Sequence, residues 1–254
     1  MTAVVLTGRP DGTTHLAVDA LDELPHDLRL IGGLAVLCRV GMPHRATVDL
    51  DALTRDLALH DASLQRLALS ATGGGQYVMP GDLDLDVIDV APDDAAGLAD
   101  AMAAAGALTD LEFNVIAHTW AHDSATALDI TVASADDATI IAAARDRLVA
   151  STPGLVAMKA TTVPLRASAR PEKRASDLYD IGRLLTTARQ DEVREAFSAM
   201  PGALRNELLD RLERWFVDPA GRDRTFREIR RFDEAQLELD DVAFTVDALS
   251  PSGS

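Results

Sequence analysis

The chain is poor in cysteine, lysine and long apolar runs. One cysteine, Cys38, among 254 residues rules out an intramolecular disulfide framework and any zinc site built from several cysteines. The longest apolar runs, such as residues 139–144, fall far short of the ~20 residues that a transmembrane helix needs, so no membrane span is expected. Residues 1–12 lack a basic start followed by an apolar block, so no secretory signal is expected, and a cytoplasmic protein is. Positive charge is also scarce: 24 Lys plus Arg stand against 41 Asp plus Glu, a formal net charge of −17. That balance argues against a protein that coats nucleic acid with its whole surface, because phosphate contacts need Lys and Arg, yet it leaves room for a local basic site. Only two of the 24 cations are lysines, Lys159 and Lys173. A coding bias toward Ala, Arg, Asp and Gly explains this, and it singles out each lysine position.

The remainder is ordinary for a globular chain. At 47% hydrophobic and 26% charged it has enough apolar side chains for a proper core. Residues 27–31 read as a short strand running into Gly32-Gly33, and 34–40 as a helix stopped by Gly41-Met42-Pro43. Residues 47–53 and 82–90 alternate apolar and acidic side chains with period two, the mark of half-buried strands. Between them, 55–69 has helical spacing and Gly73-Gly74-Gly75 breaks the chain. Residues 93–105 read as a helix, and 112–118 and 127–133 as strands. From 138 onward the segments 138–150, 155–166, 176–188, 191–200 and 203–216 all read as helices. The fold class expected is α+β, with a mixed sheet and helices over residues 1–135 and a helical domain over 136–254.

Three features of the first domain carry chemistry together. Gly32-Gly33 sits at a strand-to-helix turn, where backbone N–H groups approach a phosphate and the helix N-terminus favours an anion. Asp49 and Asp51 follow, two apart in a strand, so both carboxylates project from one face while Leu50 points to the core. Two like charges held that close call for a cation, and carboxylate oxygens with bound phosphates are what Mg²⁺ uses. A carboxylate from the next acidic strand would complete a cradle for two metal ions that stabilise an in-line displacement at phosphorus. Asp84, Asp86 and Asp89 all lie in that stretch, and Asp86 is chosen for its apolar neighbours. Each part alone is commonplace, a turn or a solvated edge strand; their order and spacing raise the reading.

Residues 31–51, from Ile31-Gly32-Gly33-Leu34-Ala35 to Gly41-Met42-Pro43-His44-Arg45-Ala46-Thr47-Val48-Asp49-Leu50-Asp51, resemble the signature of the DNA polymerase β-like nucleotidyltransferases. More narrowly, they are similar to the AbiEii-type, MenA-like toxins. The resemblance resumes at Ala157-Met158-Lys159-Ala160 and at Ala175-Ser176-Asp177-Leu178-Tyr179-Asp180-Ile181. Position 34 is Leu where that family often has Ser, and position 176 is Ser where a basic residue is common.

The resemblance implies a polymerase β-like catalytic domain over 1–135, with Lys159 and Asp177 contributed to its site from the helical domain. Gly32 and Gly33 would hold the triphosphate, Asp49, Asp51 and Asp86 would ligate Mg²⁺, and Arg45 and Thr47 would brace the metal strand or touch phosphate. Lys159 would contact nucleotide phosphates, with Asp177 as a further carboxylate orienting it. The implied activity moves a nucleoside monophosphate from an NTP to an acceptor, with RNA (the 3′ end of tRNA) as that acceptor and pyrophosphate released. The implied role is the toxin of a toxin–antitoxin system, with a cognate antitoxin as partner and a monomer as the default state. A small-molecule or protein acceptor, and a non-catalytic nucleotide-binding module, are the competing readings.

The charge map bears on the acceptor. Residues 159–189 hold seven cations against three acids, and 221–231 hold five against two. Such pooling in an acidic chain fits a groove for a phosphodiester chain, or else solvated helix faces balanced by neighbours. His118 and His122 lie four apart, but with 112–118 read as strand and no third ligand they are set aside as a metal pair. Cys38 reads as a buried small hydrophobe, Trp120, Trp215 and Phe216 as core or domain-interface anchors, and Tyr179 as the one aromatic placed to stack on a base.

Overall fold

The acidic–apolar alternation at residues 49–51 and 83–86 becomes two adjacent strands of one sheet in the computed structural model, which describes residues 2–44, 49–104, 106–166, 170–235 and 237–250. The chain divides into two units. The first comprises Met1–Pro92 and Ser124–Ser151, the second Asp93–Asp123 and Thr152–Ser254.

The first unit runs β1 (Thr2–Gly8), α1 (Thr13–Glu23), β2 (Arg29–Ile31), α2 (Gly32–Val40), β3 (Asp49–Thr54), α3 (Leu57–Leu67), β4 (Ser70–Gly73), β5 (Gln76–Met79) and β6 (Leu83–Asp89), then returns as β7 (Thr126–Ser134) and β8 (Ile140–Val149). Among the described residues these strands make one mixed sheet in the order β1-β7-β8-β2-β3-β6-β5-β4. The pairs β1–β7, β2–β8 and β3–β6 are parallel; β2–β3, β4–β5, β5–β6 and β7–β8 are antiparallel. The sheet and the helices confirm an α+β chain.

Leu50, Ala52, Leu85 and Val87 share one face of β3 and β6 and are all buried. Their burial supplies the driving force that sets the register, since a one-residue slip would turn aspartates into the core. Two arginines tie the sheet to its helices. Arg147 of β8, 1% exposed, donates to the carbonyls of Leu24 and Pro25 just beyond α1, where a cation also opposes the helix dipole. Arg39 of α2 donates to the carbonyls of Val149 and Ala150 at the end of β8.

Two expectations are overturned. Residues 138–150 are not a helix: 140–149 form β8, an interior strand between β7 and β2. Its alanines favour helix, but burial at Ala142 and Ala144, and again at Arg147 and Val149 beyond an irregularity at residues 145–146, between two partner strands outweighs a propensity worth only tenths of a kcal/mol per residue. Residues 112–118 are not a strand: they lie inside α5, described below. No expectation covers residues 2–23, where β1 and α1 lie.

The second unit is helical. Its elements are α4 (Ala95–Ala103), α5 (Asp110–Asp123), α6 (Thr152–Leu165), α7 (Pro171–Thr186), α8 (Gln190–Ser198), α9 (Gly202–Leu212) running into a π-helical turn (Glu213–Val217), α10 (Pro219–Ile229) and α11 (Leu239–Leu249). α5 starts with a reciprocal cap: Thr109 N–H donates to the Glu112 carboxylate at 2.8 Å, and Glu112 N–H donates to Thr109 Oγ1 at 3.3 Å. That Thr-x-x-Glu spacing is a helix-start signal. Its buried Phe113, Ile116, Ala117 and Ala121 have helical spacing, which their β-branched and aromatic neighbours obscure. Buried Arg211 of α9 stacks 4.2 Å over the Phe113 ring and bonds Glu207 and Asp110, joining α9 to α5. Among the described residues no helix is long and apolar enough to cross a membrane.

Candidate functional site

Sheet register decides which side chains meet in the first unit. Ile31 pairs with Asp51, Asp51 with Asp86, and Asp86 with Gln76, one line across four strands. The line beside it runs Asp49, Asp84, Val78. Paired residues project from the same face, and neighbouring strands lie about 4.8 Å apart, so four carboxylates (Asp49, Asp51, Asp84 and Asp86) crowd one patch of sheet. Asp89 falls outside it: it pairs with Thr54 on the opposite face, and its carboxylate accepts from Leu57 N–H at 2.7 Å, next to the start of α3.

Gly32 closes the patch at one end. It joins β2 directly to α2 with φ +69°, a left-handed backbone that favours glycine. A Cβ built there would lie 1.9 Å from Oδ2 of Asp51. The Asp51 carboxylate therefore rests against the first residue of α2, whose entry has no side-chain cap from Ile31. Gly33 follows, buried, as the second helical residue. At the other end lies a cavity of about 250 Å³ lined by Thr72, Gln76, Tyr77, Val78, Asp84 and Asp86. Arg45 and Thr47 lie outside the described residues.

Lys159 and Asp177 belong to the second unit, where they meet each other. Lys159 of α6 is buried, with Nζ 2.7 Å from Oδ2 of Asp180 and 3.3 Å from Oδ1 of Asp177. Asp177 and Asp180 are three apart on α7 and so share a helix face. Asp177 also pairs with Arg166 and has the Thr162 hydroxyl 2.8 Å from Oδ2. Two cations and two carboxylates thus meet in one cluster, buried except at Arg166, and Asp180, fully buried, is its closest acid to Lys159. The i, i+3 spacing of the two aspartates was the signal for Asp180.

The cation pools are engaged in part within the second unit. Arg174 pairs with Glu228, Arg189 with Asp191, Arg222 with Asp240 and Arg224 with Glu228. Tyr179 is corrected as a base-stacking candidate: it is 1% exposed and packs on Phe232 with ring centroids 5.5 Å apart. His118 and His122 do share a face of α5, but His118 Nδ1 is bonded to the Asn114 carbonyl at 2.8 Å and His122 Nδ1 to Asp123. Cys38 is buried, and burial pushes its thiol up to about 12.

The donor chemistry of the carboxylate patch fits a hard divalent cation. Among the described residues no three His, Cys, Asp or Glu side chains form a ready-made metal cage. Mg²⁺ does not require one, because it binds through one or two carboxylates together with substrate phosphates and waters. No protein-family model, curated protein or solved structure matches the chain.

Proposed function

We propose that the chain is a Mg²⁺-dependent nucleotidyltransferase of the polymerase β-like kind, moving a nucleoside monophosphate from an NTP to an acceptor hydroxyl. The observation that carries this reading is Asp51 lying against Gly32 at the start of α2, in line with Asp86 and beside Asp49 and Asp84. That arrangement sets a backbone able to receive phosphate next to oxygens able to hold cations. The resemblance of residues 31–51 to the family signature supports it independently.

In this reading Asp49, Asp51 and Asp86 hold Mg²⁺, which supplies neutralisation of triphosphate charge. Gly32 and Gly33 orient the triphosphate through their backbone. The acceptor oxygen attacks the α-phosphorus, the bond to the bridging oxygen breaks, and pyrophosphate leaves. The hydroxyl proton passes to a carboxylate of the patch. Catalysis is then positioning plus electrostatics.

The same resemblance implies RNA as acceptor and the toxin role, with a cognate antitoxin. The acidic wall formed by Asp84 and Asp86 favours a second acceptor class, a cationic small molecule, with unchanged chemistry at phosphorus.

The test is transfer of label from each of four α-³²P NTPs, with Mg²⁺, to total tRNA. Labelled RNA that disappears with Asp51→Ala establishes the reaction and its acceptor together. Pyrophosphate release without labelled RNA moves the acceptor to a small molecule or protein. Neither product, at any NTP, sinks the transferase in favour of a nucleotide-binding module.

A further inference from the structure

β1 stands at one end of the sheet, so one of its edges meets β7 and, among the described residues, no strand lies along the other. Its seven residues, Thr2-Ala3-Val4-Val5-Leu6-Thr7-Gly8, hold no charged side chain and no proline. Charged groups and proline are what edge strands use to keep other chains away. β4, at the opposite end of the sheet, is blunted in another way: it is four residues long, and its pairing with β5 shifts register between Ala71 and Gly73. β1 pairs with β7 over all seven residues without a break.

Two contacts show which way the backbone of β1 faces. The Gly8 carbonyl accepts from Ala135 N–H at 2.8 Å, and the Val4 carbonyl accepts from the Thr131 hydroxyl at 3.3 Å, both on the β7 side. Main-chain groups alternate sides along a strand, so Ala3, Val5 and Thr7 turn their N–H and C=O groups to the open edge. Side chains alternate between faces: Leu6 is buried and Val4 half-buried on one, while Val5 is 63% exposed on the other. Pairing extends from Val5 through Thr131 to Ala143, and from Thr7 through Ala133 to the exposed Ile140, with no charge in either row. The acid opposite Ala3, Asp129, is matched by Arg145 at 3.3 Å.

We propose that the open edge of β1 is the interface between two copies of this chain, joined antiparallel about a two-fold axis at Val5 into one continuous sheet. A chain of net charge −17 repels its own copy, so two copies meet where charge is absent, and β1 is the longest of the described strands that carries none. In this register the strand is complementary to itself. Val5 of one copy stands opposite Val5 of the other, Val4 opposite Leu6, and Ala3 opposite Thr7. Val4 and Leu6 extend the apolar layer under the sheet, and the two Val5 side chains cover each other as a β-branched pair. Ala3, Val5 and Thr7 of each copy bond main chain to main chain across the seam. The carboxylates of β3 and β6 lie four or more strand positions away and stay open in the dimer.

Sedimentation equilibrium of the full chain, over a range of concentration and salt, tests the pairing independently of any activity. The expected result is a reversible monomer–dimer equilibrium that strengthens with salt, as screening weakens repulsion between the acidic copies. Val5→Lys sets like charges opposite each other at the two-fold axis and raises the dissociation constant about tenfold or more. Val5→Cys treated with a short bis-maleimide gives a crosslinked dimer, and Ser70→Cys on β4 does not; the native Cys38 is buried and stays silent. Because Val5→Cys keeps the strand, it decides the question even where Val5→Lys disturbs folding. A chain that stays monomeric at every concentration overturns the proposal. So does a dimer that survives Val5→Lys, one that dissolves in salt, or a crosslink made through Ser70→Cys alone. A different protein captured through Val5→Cys would give the edge another occupant and overturn the two-fold pair.

Discussion

Oδ2 of Asp51 occupies the space that a methyl group on Gly32 would need, 1.9 Å from where its Cβ would lie. The strand-to-helix turn and the central carboxylate are therefore one device: the backbone at 32 must be bare for Asp51 to sit where it does. Gly32→Ala forces a left-handed alanine, costing about 1–2 kcal/mol in the backbone alone, and it displaces Asp51 as well. Denaturant unfolding should register that loss, and, under the proposed transferase reading, labelled transfer should fall at least as far as in Asp51→Ala. Full activity in Gly32→Ala would detach Asp51 from the reaction.

Lys159 gives a stability prediction that does not depend on any activity. Asp180→Ala takes from the buried ammonium the carboxylate 2.7 Å away, and Asp177, at 3.3 Å, is already shared with Arg166. The expected cost is about 3 kcal/mol, the lower end of what breaking a buried pair costs, because Asp177 stays within reach of the ammonium. Urea unfolding of Asp180→Ala checks it. A change of a few tenths would mean that water already reaches the cluster.

His118 makes stability depend on pH. Burial holds its imidazole below the ordinary histidine value of 6.5, partly offset by its bond to the Asn114 carbonyl. Below pH ~6.5 the unfolded chain takes up a proton that the folded chain refuses, so stability falls as pH falls. The slope reaches at most about 1.4 kcal/mol per pH unit, until the folded-state value is passed. Replacing His118 with Gln should flatten that part of the stability–pH curve; an unaltered curve would place the dependence elsewhere.

Arg147 tests how the sheet holds α1. Arg147→Met fills much of the same volume but takes a donor from the carbonyls of Leu24 and Pro25, of which Pro25 keeps its bond from Leu28 N–H. A loss of about 2–4 kcal/mol is expected, with Arg147→Lys recovering part of it, since a single ammonium lacks the planar fork that reaches both carbonyls. Thermal unfolding of the two variants gives the comparison.

Local pattern was enough for part of this protein. The alternation at residues 49–53 and 83–89, the Gly32-Gly33 turn and the helices at 34–40, 155–165 and 176–186 all follow from periodicity and turn chemistry over a few residues, and those features placed Asp49, Asp51 and the glycines where they lie. The cap at Thr109-x-x-Glu112 was equally local, though masked by Phe113, Val115 and Ile116, which favour strand in isolation.

Tertiary structure decided the rest. That Asp86 sits beside Asp51, that Asp89 turns to the other face, and that Gln76 ends the same row come from parallel pairing of β3 with β6 and the return of β5. Those contacts span up to about 35 residues, and their register is set by burial of Leu50 and Leu85, not by any short motif. Residues 140–149 became a strand because β7 and β2 supply partners on both edges, an outcome invisible to a helix-favouring run of alanines. Asp180 became the nearest acid to Lys159 only when α6 and α7 packed together. Sequence specifies what each segment can offer; the sheet register and the helix packing select which carboxylates stand together, because only burial of the apolar face fixes one alignment among many.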